Sequence, residues 1–413
     1  MLNFADLPYE FVPPKPNALI IALARFVNRR IALPGSKHRL AGVELLGAES
    51  LANAQREDGA RFLFLPNHST HSDPQVMTEV CRRLRVTPAF MAAYDVFARG
   101  KLKAWIMQRF GAFSVDREGS DRKSMRCATE ILAAGKYPLV LFPEGNVYFC
   151  NDRVTPFAEG AAYIALRAQK ALGDSVPVYA VPVSLKFTFV EDVRDLIRTA
   201  LNDLAEGFGT HLDRDAPVTE ELKRISVTAL ARLLKQRGHI PPESDLDADP
   251  QIHHAVEQLL DSLESKMELS PPASDDLTTR VRKIRAAVHS IRSDPERQAD
   301  HRAASHWADE AILALRILGY YGGYTASHPT LDRVAETVAR LREDVTSQLD
   351  PPDGKRRCVV QIGTPIDLRE HLETFQAKAR PAIGKLTRDC EAAVQAGIDA
   401  INSSNEELGA SLF

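Results

Sequence analysis

From about residue 60 to residue 190, short runs of β-branched and aromatic residues alternate with stretches whose apolar positions recur every three or four residues. Such alternation marks an α/β arrangement, in which buried strands are covered by helices. The spacing predicts strands over 61–65, 86–91, 112–115, 139–142 and 178–185, and helices over 74–85, 97–109, 120–134 and 158–172. Gly135 and Gly173 stand where the last two of these helices should stop. Beyond Val190 the texture changes to long Leu-, Ala-, Arg- and Glu-rich segments, broken by Pro-Pro pairs that begin at Pro241, Pro271 and Pro351. Their unequal intervals exclude a solenoid repeat. A strand-like run returns over 358–362, followed by Gly363, Pro365 and a helical stretch from Leu368 to about Ile401.

If the late strand completes the first sheet, residues 191–357 are an insertion. The expected fold is then α/β, a mixed sheet flanked by helices with a large, mainly helical insertion. It divides into an N-terminal amphipathic segment (1–34), an α/β domain (35–190), the helical insertion (191–357), and a final strand with a C-terminal helix (358–413). Within the N-terminal segment, Ile20, Leu23, Ala24, Val27 and Ile31 share one helical face, Arg25 and Arg29 lie opposite, and Arg30 flanks them. A helix of this kind fits a bilayer interface with its arginines at anionic headgroups, and fits equally well against the protein's own core.

Composition narrows the function classes. Hydrophobic residues at 44% and charged residues at 26% exclude global disorder, and 413 residues exceed what one compact core usually holds. Lys plus Arg (52) against Asp plus Glu (55) lacks the basic excess of a dedicated nucleic-acid binder. The five cysteines are scattered and never spaced as C-x-x-C, which argues against a disulfide framework or a structural zinc and for a reducing compartment. No apolar run approaches the roughly eighteen residues of a membrane span. Asp6, Glu10 and the early prolines do not suit a secretory signal, so a cytoplasmic protein is expected.

Polar residues collect at three predicted strand ends, where open α/β sheets place their ligands. The first reads LFLPNHSTHSD over 63–73 and opens a helix at Pro74. His68 and Asp73 are five residues apart and meet only if Ser69, Thr70 and Ser72 form a turn. A carboxylate beside an imidazole fixes its tautomer and raises its basicity. Asp73 also suits a helix N-cap before proline. His71 suits a polar loop, with a His68, His71 and Asp73 metal site as a competitor that no further ligand cluster supports. The second strand end, GAFSVDR over 111–117, offers Arg117, whose fork matches phosphate oxygens; Gly119 follows. The third, LVLFPEG over 139–145, offers Glu144 to accept from a substrate hydroxyl and Gly145 for close backbone approach. The plainer reading of the second is a common surface Asp-Arg pair, and of the third a plain turn with Glu144 in solvent.

Taken together, Asn67-His68 with Asp73, GAFSVDR, FPEG and then Val181-Pro182-Val183 resemble the four ordered blocks of the glycerophospholipid acyltransferases, the family that includes 1-acylglycerol-3-phosphate acyltransferases. Pro156-Phe157, Gly160-Ala161 and the late VVQIGTPI run also look like features of that family. The likeness covers about residues 35–190 and the late strand. It implies that His68 is a general base oriented by Asp73, that Arg117 binds the acceptor phosphate, and that Asn67, Glu144 and Gly145 help hold the acceptor. The family commonly continues FPEG with Thr-Arg, whereas Asn146-Val147 stands here, and Arg153 is the candidate for the missing second phosphate contact.

The expected reaction is direct transfer of a fatty acyl group from acyl-CoA or acyl carrier protein to a lysophospholipid or glycerol phosphate, with 1-acylglycerol-3-phosphate the leading acceptor. The chain would act at a membrane surface, with no metal and no cofactor beyond the donor thioester. The sequence has no G-x-S-x-G elbow and no G-x-x-x-x-G-K-[ST] loop. Competing readings are a CoA-independent phospholipid transacylase, a non-enzymatic lipid-binding or membrane scaffold, and, last, a metallohydrolase.

Overall fold

The computed structural model describes residues 9–117, 121–213, 215–241, 248–273, 275–320, 322–346 and 348–413. Gly119, Ser120 and the first eight residues of the N-terminal segment lie outside them. The strands are β1 (Leu40–Leu46), β2 (Arg61–Pro66), β3 (Ala89–Ala93), β4 (Ala112–Val115), β5 (Leu139–Val140), β6 (Val178–Phe189), β7 (Arg356–Ile362) and β8 (Ile366–Asp367). The helices of the first half are α1 (Ala18–Val27), α2 (Ala48–Ala54), α3 (Asp73–Arg83), α4 (Tyr94–Ala98), α5 (Lys101–Phe110), α6 (Arg122–Ala134) and α7 (Gly160–Leu172). Then follow α8 (Arg194–Gly207), α9 (Val218–Gln236), α10 (Ala248–Lys266), α11 (Leu277–Ser293), α12 (His301–Leu318), α13 (Gly322–Ser327) and α14 (Leu331–Thr346), and after β8, α15 (Arg369–Ala377) and α16 (Ala379–Ser403).

All eight strands form one mixed sheet, in the order β1-β7-β6-β2-β5-β3-β4 with β8 beside β6. β2 to β6 run parallel, whereas β7 pairs antiparallel with β6, from Val183 opposite Ile362 to Phe189 opposite Arg356, and parallel with β1. The late strand therefore joins the first sheet. The parallel strands read as continuous apolar runs because both faces are covered. Alternation then divides them: Leu63, Leu65, Leu139 and Ala180 pack with α6, α7, α15 and α16, while Phe64, Val140, Tyr179 and Val181 pack with α2 and α3. Gly135 ends α6 in the left-handed conformation at φ 66°.

The structure adds to and corrects several expectations. β1 and β8 were not foreseen. The single helix expected over 97–109 is broken between α4 and α5, where Gly100 takes φ 142°. α1 and the turn after it face inward on a different side from the expected one: Ile21 of α1 and Asn28 of the turn are buried, and Arg25 donates to the Val86 carbonyl and to Thr87 Oγ1 at 3.2 Å instead of facing headgroups.

Between β6 and β7 the described chain is helical and builds its own apolar clusters. One joins α10, α11 and α12, and another joins α8, α9 and α14 to Phe189 at the end of β6. Lys186 of β6 ties this region to the sheet. Its buried ammonium bonds Asp152 and lies 3.4 Å from Asp332 of α14, and Arg333 Nε reaches the same Asp152 at 2.7 Å. Burial favours a protonated Asp152, yet Lys186 and Arg333 outweigh it and hold the carboxyl down to about 2.

Removing one partner of a buried pair strands the other charge, at a cost of about 3–5 kcal/mol. Lys186→Met is expected to lower unfolding free energy in urea by that order, and a loss below about 1 kcal/mol would show that Lys186 does not anchor the helical region.

Candidate active site

The turn expected between His68 and Asp73 is present. β2 ends at Pro66, and residues 67–72 curl so that the Asp73 N–H reaches the Thr70 carbonyl at 3.3 Å. His68 Nδ1 then lies 2.7 Å from Asp73 Oδ2. Asp73 is fully buried and also accepts from the Thr70 N–H at 2.9 Å and from Thr70 Oγ1 at 3.1 Å. It is thus the first residue of α3 rather than its N-cap, which is Ser72. As an acceptor, Asp73 fixes the His68 proton on Nδ1 and leaves Nε2 as the ring's basic atom. The ring packs beside Phe142, centroids 4.4 Å apart, and His68 keeps 17% exposure.

Beneath the turn lies a layer that the sequence did not reveal. Ser72 Oγ is 3.0 Å from His38 Nδ1 and accepts from Arg356 Nη2 at 3.2 Å. Arg356 also donates to the His38 carbonyl at 3.3 Å and stacks on Phe187. Burial, with Lys37 and Arg356 nearby, pushes the His38 ring down to about 4, so it is neutral at physiological pH. This floor joins the segment before β1, the His68–Asp73 turn and β7.

Two site residues turn out to face inward. Asn67, expected to help hold an acceptor, is 1% exposed and spends its amide on β6, donating to the Leu185 carbonyl at 3.0 Å and accepting from the Leu185 N–H at 2.7 Å. It fixes the end of β2. Glu144, expected to meet a substrate hydroxyl, instead accepts from the His68 N–H at 2.7 Å through Oε1 and from Thr155 through Oε2. It is a positioning residue for His68. Burial pushes the Glu144 carboxyl up to about 7, although the bonds from Thr155 and His68 lower it. Gly145 permits the turn that aims Glu144 this way, with φ 75°, and its N–H bonds the Phe142 carbonyl at 3.1 Å.

Arg117 reaches the same strand ends. It donates to the Gly145 carbonyl at 3.2 Å, to Asn146 Oδ1 at 2.8 Å and to Asp95 Oδ1 at 3.0 Å. Asn146, the residue that departs from the FPEG-Thr-Arg pattern, therefore orients the guanidinium. Arg153 is exposed on a segment tied elsewhere: the Asn151 N–H bonds Glu336 of α14 at 3.1 Å, and the Val154 N–H bonds Gln395 of α16 at 2.8 Å. His71 does not join His68. Its Nε2 lies 3.0 Å from Glu343 Oε2 on α14, and burial lowers its pKa although the Glu343 carboxylate pulls it back up. Among the described residues, no group of three or more His, Cys, Asp or Glu is arranged to hold a metal ion.

The arrangement can remove a proton from a hydroxyl at His68 Nε2, with an arginine nearby for an anionic group. Glu144 supplies a pH test of the architecture. Its proton is held more tightly in the folded chain, so the stabilisation is complete below about pH 4.5 and is lost as pH rises through about 7. Over that window the wild-type chain should lose up to about 3 kcal/mol relative to Glu144→Gln. Parallel pH profiles of urea unfolding for the two proteins would refute the buried, proton-holding Glu144.

Residues 43–186 match the family model described as Acyltransferase, a span that contains all four sequence blocks, the His68–Asp73 pair, Arg117 and Glu144. No curated protein matched the chain. The match and the geometry agree on the same segment: the chain carries, over residues 43–186, a domain of the Acyltransferase family, the family of the glycerophospholipid and 1-acylglycerol-3-phosphate acyltransferases.

Proposed function

We propose that this acyltransferase moves a fatty acyl group from acyl-CoA or acyl carrier protein to a hydroxyl of a lysophospholipid or glycerol phosphate, with 1-acylglycerol-3-phosphate the leading acceptor. The observation that carries this reading is the 2.7 Å His68–Asp73 contact inside the family-matched segment. The acceptor hydroxyl gives its proton to His68 Nε2 as its oxygen attacks the thioester carbonyl. The tetrahedral intermediate then collapses, breaking the carbon–sulfur bond, and the proton passes from His68 to the departing thiolate. No side chain becomes acylated. Arg117, oriented by Asn146 and Asp95, is the proposed contact for the acceptor phosphate, with Arg153 a candidate for the second.

The reaction would take place at a membrane surface. No helix among the described residues is long and apolar enough to cross a membrane. α1 and the turn that follows it nevertheless expose Leu19, Leu23, Phe26 and Ile31, and α5, packed beside α1, exposes Leu102, Trp105 and Ile106. Arg29, Arg30 and Lys101 are exposed on the same elements. Large apolar side chains amid cations suit an interface of hydrocarbon and anionic headgroups.

The test is purified protein with labelled acyl thioester and a panel of lysolipid acceptors, products separated by headgroup. His68→Ala should fold normally and lose about 10²- to 10⁴-fold in turnover, whereas His71→Ala should be far milder. A folded His68→Ala variant with near-normal turnover would end the base assignment. In the same assay Arg117→Ala should raise acceptor KM, and an unaltered Arg153→Ala would remove Arg153 from the site. For the membrane, Leu23→Glu with Phe26→Glu should abolish co-sedimentation with anionic liposomes while sparing turnover on detergent-dispersed substrate. Unchanged sedimentation would show that α1 does not bind lipid.

A further inference from the structure

Arg356 of β7 lies buried beneath the His68–Asp73 turn, and among the described residues its guanidinium pairs with no carboxylate. Its Nη2 donates to the Ser72 hydroxyl at 3.2 Å and to the His38 carbonyl at 3.3 Å. The guanidinium carbon stands 5.0 Å from the Phe187 ring centroid, and the buried Nε–H meets no acceptor among the described residues. A buried charge held only by neutral groups is costly unless an opposite charge stands close by. Four acidic groups are near enough to act on it: Cys358, Asp73, Asp332 and Glu336. Burial pushes the Cys358 thiol and the Glu336 carboxyl well above their ordinary values, so neither carries a charge at neutral pH. Asp332 faces the Lys186 ammonium 3.4 Å away. Asp73 is left as the carboxylate that balances Arg356.

A short chain of hydrogen bonds joins the two. Ser72 makes no side-chain cap bond to α3, so its hydroxyl serves Arg356 instead and lies 3.0 Å from His38 Nδ1. The Ser72 N–H donates to Thr70 Oγ1 at 3.1 Å, and that hydroxyl donates to Asp73 Oδ1 at 3.1 Å. The other carboxylate oxygen, Oδ2, faces His68 Nδ1. His38, held neutral by burial, adds no charge between them. Arg356 is itself fixed by its strand, where its N–H reaches the Arg39 carbonyl at 2.9 Å. It bonds neither His68 nor Asp73 directly, so its effect on the base passes through Ser72 and through its charge.

We propose that Arg356 is a positioning residue for the His68–Asp73 pair: it fixes Ser72 and supplies the counter-charge that lets the Asp73 carboxylate stay buried beside the ring. The kinetic part of this inference rests on the acyl-transfer reading above, and the spectroscopic part does not. In the full-length protein the His68 Nδ1 proton, held by Asp73, is followed by NMR as a downfield imidazole resonance, assigned by its loss in His68→Gln. Arg356→Met removes the charge and the donors while keeping an apolar stem. Arg357→Met is the control for losing an arginine from the same strand, since Arg357 pairs with Glu44 and Glu407 instead. The expected result is that the resonance is lost or moves upfield in Arg356→Met and stays in place in Arg357→Met. Turnover should fall about 10- to 100-fold in Arg356→Met at unchanged KM, with partial recovery in Arg356→Lys. An unaltered resonance in a cooperatively melting Arg356→Met chain would overturn the proposal, as would equal loss in Arg357→Met. Should Arg356→Met fail to fold, Ser72→Ala cuts the same link by removing one oxygen, and an unaltered resonance there would overturn it too. A wild-type chain that transfers no acyl group would refute the acyl-transfer reading and leave the resonance to decide the role of Arg356.

Discussion

A fully buried carboxylate is expensive, because losing its hydration costs several kcal/mol unless donors replace the water. Asp73 meets this constraint with three donors drawn from the five residues before it: the Thr70 N–H, Thr70 Oγ1 and His68 Nδ1. Much else in the site follows. Residues 67–72 must curl rather than extend α3 backward, and the curl directs the His68 ring toward Phe142. Asn67 pins the start of the curl to β6, and Glu144 holds the His68 N–H from the neighbouring strand end. The next layer depends on β7, since Arg356 reaches Ser72 across 284 residues of sequence. The site is thus finished only when β7 has paired with the sheet.

That dependence gives the helical region between β6 and β7 a structural meaning. It leaves the sheet at the end of β6, returns as the antiparallel β7, and is tied down by Lys186 with Asp152 and Asp332. Three further contacts bring it to the strand ends around His68: Glu343 to His71 at 3.0 Å, Arg340 to the Tyr148 carbonyl at 2.7 Å, and His289 Nε2 to Asp116 Oδ2 at 3.4 Å. His71 and Asp116 lie within the first two strand-end segments and Tyr148 just beyond the third, and none of the three is the proposed base itself. The helices therefore brace the segments around His68.

The sequence made the centre of the sheet legible because strands buried on both faces appear as uninterrupted apolar runs, as at 61–65 and 178–185. β1 escaped notice because Gly42 and Glu44 interrupt its apolar pattern and one of its edges is unpaired in the sheet order. β8 is two residues long and carries no pattern of its own. Residue types at the strand ends marked where the chemistry would be, but not which way each side chain points. Asn67 and Glu144 look like substrate ligands in the sequence, and only the partners Leu185 and Thr155, distant along the chain, reveal them as supports. Arg25 misled in the same way, since a helical projection gives a face and not its neighbour.

The central claim is that a hydroxyl, activated by the His68–Asp73 pair, attacks the donor thioester directly. Its most direct test is intact-mass measurement of the chain quenched within a single turnover, with labelled acyl thioester and lysophosphatidate both present. The account predicts acylated lipid and free thiol appearing together while every protein molecule keeps its unmodified mass. A transient chain population heavier by one acyl group, forming and decaying at the rate of product formation, would contradict it.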